Sequence, residues 1–191
     1  MRTQADRERM FRRGYTLVEI LIVVVIMGLA GALVAPTISS ADALRGQAAV
    51  RTLVSDITFA QSDAIAMQQP RAVVFDPDAN LYSLVAVFGT TATEVLVDPY
   101  NNGRRYEVSL DDPDFGGARL TTVQFSDSEP EMLVFDEFGA PIEEPGSITP
   151  IPQGVIEIET RLDRFTINVD GMTGQVWTER VSLAEAEEEG G

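Results

Sequence analysis

Hydrophobic and polar positions alternate in three different ways along the chain. Residues 20–35 read ILIVVVIMGLAGALVA with no polar side chain, and the wider stretch 15–36 holds a single charge, Glu19. Twenty-two residues of helix reach about 33 Å, close to the roughly 30 Å of bilayer hydrocarbon, so the pattern predicts a membrane-spanning helix. A helix of a soluble core would be shorter and less uniform. A cleavable secretory signal would share the basic residues ahead of the run, but it has a shorter apolar stretch and no carboxylate near its start.

Beyond this run the spacing becomes amphipathic. Leu53, Ile57, Ala60, Ala64 and Met67 recur at intervals of four and three, the period of one helix face. Arg51, Ser55, Asp56, Ser62 and Asp63 fall among the positions assigned to the other face, and Pro70 supplies a stop. One helix is therefore expected from residue 15 to about residue 69, weakened locally at Gly28, Gly31, Pro36 and Gly46. After Pro70 the texture changes to short runs of β-type residues: 71–75, 81–88, 94–97, 106–110, 120–125, 132–135, 155–160, 165–169 and 175–179. Several alternate in the manner of half-buried antiparallel strands. They are separated by turn-forming clusters such as Asp76-Pro77-Asp78-Ala79-Asn80 and Asp111-Asp112-Pro113-Asp114. The expected fold class is α+β: a long N-terminal helix, lipid-facing in its first half, packed through its second half on an antiparallel β-sheet domain.

Charge adds an orientation. The net charge is −16, every base is Arg, and residues 1–14 hold Arg2, Arg7, Arg9, Arg12 and Arg13 against Asp6 and Glu8. Basic residues just before an apolar span stay cytoplasmic, so the acidic remainder is expected on the far side of the membrane. The chain has neither Cys nor His, which excludes a disulfide framework and the usual thiol, imidazole and zinc chemistries. No set of residues reads as a catalytic constellation, and no cofactor is implied. Four segments follow: 1–14 as a basic leader, 15–42 as a transmembrane helix, 43–183 as an extracytoplasmic domain and 184–191 as an acidic disordered tail.

The residues Arg12-Arg13-Gly14-Tyr15-Thr16-Leu17-Val18-Glu19, directly before the apolar run, resemble the N-terminal signal of type IV prepilins and of the pseudopilins of type II secretion. Basic residues, Gly, an aromatic, Thr-Leu, Glu and an apolar helix follow in the family's order, with Tyr15 where Phe is usual. The resemblance implies cleavage after Gly14 by a membrane prepilin peptidase, N-methylation of Tyr15, and a role for Glu19 in filament assembly. It also implies the partners: the prepilin peptidase, other pilin or pseudopilin subunits, an inner-membrane assembly platform and membrane lipid. Independent physics agrees at two points. Glycine lets a protease approach the backbone closely, and a lone carboxylate in an apolar span is costly enough to require a partner. The alternative for Glu19 is a side chain that simply reaches interfacial water.

Three further segments are similar to the GspH/FimT class of minor pilins and pseudopilins: the helix over residues 54–67, Val134-Phe135-Asp136-Glu137-Phe138-Gly139 as a strand ending in F-x-x-x-G, and Phe165 onward to Thr173-Gly174-Gln175-Val176 as a strand pair with a T-G-x-V turn. Read alone, each is an ordinary helix or hairpin. Two calcium-like patterns are weaker. Asp76-x-Asp78-x-Asn80 has no Gly at the sixth loop position and Val87 at the twelfth, so a turn is expected there. Asp98-Pro99-Tyr100-Asn101-Asn102-Gly103 is only loosely similar to the calcium loop of major pseudopilins, and no metal site is assigned. The resemblance implies a minor pseudopilin or pilin subunit and not an enzyme. The alternatives are a major pilin subunit, a DNA-binding minor pilin and a membrane-anchored enzyme. DNA binding is disfavoured because nine Arg oppose twenty-eight Asp and Glu after Gly14, with Arg104-Arg105 the one local basic pair.

Overall fold

The structure, a computed structural model, describes residues 15–98, 103–125 and 131–183, with the side chains of residues 32–42, 92 and 93 outside the description. The leader assigned to residues 1–14, the tail assigned to residues 184–191 and the centre of the Asp98–Gly103 segment therefore lie outside the described residues. The chain divides into two compact units, Met1–Ser39 and Ser40–Gly191.

One helix, α1, runs Leu17–Met67. It passes through Gly28, Gly31, Pro36 and Gly46 without a break in its assignment, so the expected weak points do not divide it. It ends two residues earlier than Pro70 alone would require. Gln68 adopts a left-handed conformation with φ 50°. The Gln69 N–H then donates to the Ala64 carbonyl at 3.1 Å and the Gln68 N–H to the Ile65 carbonyl at 3.3 Å. This paired closure satisfies carbonyls that the last turn leaves open, and Pro70 follows because it cannot continue a helix.

Among the described residues ten strands follow in the larger unit: β1 Arg71–Asp76, β2 Leu81–Phe88, β3 Thr91–Val95, β4 Glu107–Ser109, β5 Arg119–Gln124, β6 Met132–Phe135, β7 Pro141–Ile142, β8 Gln153–Glu159, β9 Asp163–Asp170 and β10 Val176–Ser182. They form two antiparallel sheets. The first has the order β3-β2-β1-β6-β7, with β4 also on β2, and the second has the order β10-β9-β8-β5. The sequence pattern locates nine of these strands; β7 is too short to show an alternation, and the expected strand at 94–97 lies earlier, at Thr91–Val95. Pro113–Phe115 forms a single 3-10 turn where a plain turn is expected.

The core forms where α1 meets both sheets. Ala49, Leu53, Ile57, Ala60 and Ala64 are fully buried, together with Leu84, Leu133, Phe135, Ile156, Ile158 and Ile167 from the strands. Each large side chain so buried contributes about 1.5–3 kcal/mol. Gly46 lies on the same helix stripe, and a Cβ there would sit 2.7 Å from Thr160 Cγ2. The glycine is a close-approach position between helix and strand end, not a weak link. Two assignments of the amphipathic reading are corrected. Met67 is exposed, because the stripe passes the edge of the sheets in the last turn, and Asp56 is buried rather than solvated.

Candidate functional site

Tyr15 is the first described residue, and its side chain is exposed. Thr16 and Glu19 cap the helix reciprocally: the Glu19 N–H donates to Thr16 Oγ1 at 3.2 Å and the Thr16 N–H to Glu19 Oε2 at 3.4 Å. A T-x-x-E pair of this kind answers two of the N–H groups that a helix start leaves unpaired, and it holds the carboxylate at the positive end of the helix dipole. The T-x-x-E spacing of Thr16-Leu17-Val18-Glu19 is itself a capping signal, a local role for Glu19 beside the assembly role that the resemblance implies. From Leu17 to Gly31 every described side chain is exposed, including Leu17, Ile20, Leu21, Val24, Ile26 and Leu29. The arrangement is an apolar helix surface with one carboxylate fixed in its first turn. Among the described residues no helix is long and apolar enough to cross a membrane. The described side chains of the apolar run end at Gly31, and those of residues 32–42, its continuation, lie outside the description. Gly14 is outside it too, so the geometry at the expected cleavage bond is not on view.

In the larger unit polar side chains of α1 hold the helix to the strands and turns: Asp63 through its ion pair with Arg71 of β1, the buried Asp56, and Gln61. Asp56, 6% exposed, accepts from the Tyr82 hydroxyl at 2.6 Å and the Tyr106 hydroxyl at 2.8 Å. Burial pushes its carboxyl above the ordinary value; the two hydroxyls oppose the shift and the charge of Asp98 adds to it. Burial and the Asp56 carboxylate push the Tyr82 hydroxyl in the same direction, well above the ordinary tyrosine value. Asp56 lies three residues after Leu53 and four before Ala60, so helical spacing alone places it on the buried stripe.

Gln61 makes a further attachment. Its Nε2 donates to the Gly139 carbonyl at 2.8 Å and to the Thr173 carbonyl at 2.9 Å. The F-x-x-x-G segment and the T-G-x-V turn, far apart in sequence, thus meet at one amide nitrogen. Each turn has its own aspartate: Asp136 Oδ1 accepts from the N–H groups of Phe138 and Ala140, and Asp170 Oδ1 from those of Met172 and Thr173 and from the Thr173 hydroxyl. Gly174, at φ +70°, passes so close that a Cβ would fall 2.5 Å from Gln61 Nε2 and 3.0 Å from Phe135 Cε1. Only glycine meets both requirements, which explains the residue in the T-G-x-V pattern. No signal in the sequence predicts Gln61, because the contact joins three separate segments.

The segment Asp76–Asn80 closes the β1–β2 turn. Asp76 Oδ1 accepts from the Ala79 N–H at 2.8 Å, while the Asn80 amide turns inward to Asp111 and the Ala118 carbonyl. Among the described residues no group of three acidic side chains is arranged to hold a metal ion.

Residues 9–35 match the profile of the prokaryotic N-terminal methylation motif. No curated protein matches the chain. Among solved structures, two of the minor pseudopilin EpsH from the type II secretion system of Vibrio cholerae are similar to this one. One has a TM-score of 0.49 at 12% identity, over 71% of this chain and 96% of that chain. The other has a TM-score of 0.47 at 12% identity, over 71% and 95%.

Proposed function

We propose that this chain is a pilin-type subunit, of the minor pseudopilin or minor pilin kind, that is inserted as a precursor, cleaved between Gly14 and Tyr15, N-methylated at Tyr15 and assembled into a filament of a secretion or pilus machine. The observation that carries the reading is the methylation motif at residues 9–35, which leads into a helix whose described residues 17–31 are exposed throughout and apolar apart from Glu19. Such a surface requires a non-aqueous environment, first lipid and then the helices of neighbouring subunits. The five Arg of residues 1–14 favour a cytoplasmic leader, an inner-membrane helix over 15–42 and an extracytoplasmic domain over 43–183. The protein's part is structural; the cutting, methylation and force belong to its partners, which are the prepilin peptidase, the assembly platform and the other subunits.

Glu19 has a specific task in this scheme. Cleavage creates an α-amino group on Tyr15 that is largely cationic at neutral pH. In a bundle of packed helices the carboxylate of one subunit neutralises the amine of its neighbour and fixes the axial step between them. The DNA-binding alternative is disfavoured by the charge balance, and among the described residues Arg71 is already engaged with Asp63, Arg164 with Glu159 and Arg180 with Asp163.

The test is Gly14→Glu. A side chain at the residue before the cut blocks close approach of the peptidase, so the variant is expected to accumulate in the membrane with residues 1–14 attached and to be missing from filaments. Normal processing of Gly14→Glu would place the cut elsewhere and remove the basis of the proposal.

A further inference from the structure

The Gln61 attachment has an outer side that the fold itself does not use. Phe138 and Met172, one in each of the turns that Gln61 joins, are both 79% exposed. Ile65, half exposed one turn along α1 from Gln61, lies against Gly139, the neighbour of Phe138. Large apolar side chains scattered singly over a surface need no explanation, but three on segments that meet at Gln61 and Gly139 form a patch. Their backbones are held in place: Asp136 and Asp170 tie their turns internally, and Gln61 ties the turns to each other. A patch that is rigid before binding loses little entropy when a partner covers it.

Charge identifies the occupant. Asp136, Glu137 and Asp170 flank the apolar side chains within the same two turns. Hydrogen bonds from Thr173, through its hydroxyl and its N–H, and from the Met172 N–H hold the Asp170 carboxyl below the ordinary value, so its negative charge persists into acid. A second copy of this chain would bring more of the same sign, with nine Arg to twenty-eight acids after Gly14. We propose that the surface formed by Ile65, Phe138 and Met172 around the Gln61 attachment is a docking surface for a different protein that presents an apolar hollow rimmed by Arg or Lys. The inference is independent of the filament reading, since it requires neither cleavage nor polymerisation.

The experiment uses the full chain in nanodiscs of uncharged lipid, with empty discs subtracted. The probes are two cyclic peptides of equal size, one alternating Leu with Arg and the other Leu with Glu. Wild type is expected to bind the Leu/Arg peptide, and Phe138→Ser with Met172→Ser is expected to weaken that binding roughly tenfold or more, as loss of buried anchors does. Val181→Ser, which removes a half-exposed apolar side chain at the far end of β10, should change it by less than about twofold, and the Leu/Glu peptide should bind at least about tenfold more weakly than the Leu/Arg one. Four results would overturn the proposal: no binding by wild type, equal binding by the Phe138/Met172 double variant, equal binding of both peptides, or self-association of wild type that the double variant abolishes. The second would mean diffuse attraction to an acidic surface, and the last would make the occupant another copy of the chain.

Discussion

At Glu19 the local cap and the intermolecular pairing proposed above would fall on one carboxylate, and their magnitudes separate them. Capping the helix through Thr16 is worth about 1 kcal/mol, whereas leaving a neighbour's amine unpaired in an apolar bundle costs about 3–5 kcal/mol. Glu19→Gln keeps an acceptor for the Thr16 N–H and removes the charge. It is therefore expected to be cleaved like wild type but to enter filaments as poorly as Glu19→Val, with Glu19→Asp intermediate because of its shorter reach. Filament yield against total cleaved protein measures this, and wild-type incorporation of Glu19→Gln would leave capping as the residue's whole role. Asp56 poses the opposite balance, since it is buried and paired within one chain. Asp56→Ala withdraws the acceptor from the Tyr82 and Tyr106 hydroxyls and is expected to lower stability by about 1–3 kcal/mol in urea unfolding. Asp56→Asn tests the charge. Because the folded carboxyl titrates above its unfolded value, this group's contribution is most favourable at low pH and is lost as pH rises through the folded value. Wild type should therefore gain more stability than Asp56→Asn when pH is lowered from neutral toward the carboxylate range. An identical pH dependence of the two would contradict the assigned shift.

At the scale of elements, periodicity exposed most of the architecture. The spacing of Leu53, Ile57, Ala60 and Ala64 located the buried stripe of α1, and alternation found nine of the ten strands among the described residues, because both signals arise from burial on one face. What it misjudged were positions decided by contacts between distant segments. Gly46 reads as a helix weakener in sequence, but it is where Thr160 comes within a methyl group of the backbone. Gly46→Val is expected to destabilise the domain by about 1–3 kcal/mol through overpacking, although valine disfavours the helix itself no more than glycine does. Chemical unfolding of the full chain in nanodiscs measures it, and a gain in stability would mean that helix propensity, not the contact, governs the position. Asp56 escaped for a related reason: polarity suggested the solvent face, while its spacing from Leu53 and Ala60 already placed it inward.

Over the whole molecule, two kinds of signal differed in reach. The N-terminal segment was legible because its meaning is local: basic residues, Gly14, Tyr15, the Thr16–Glu19 pair and an apolar run stand in consecutive order. The F-x-x-x-G and T-G-x-V segments were visible as strings, but their common contact with Gln61 was not, since sequence does not show which turns a fold brings together. The proposed function turns on the fate of the N-terminus, and the most direct measurement is the mass of the intact wild-type protein, with its N-terminal peptide sequenced, after expression alongside a prepilin peptidase. The predicted product begins at Tyr15 and carries one added methyl group on its α-amine. A chain that retains residues 1–14, or one whose first residue lies beyond Ala35, would contradict the account.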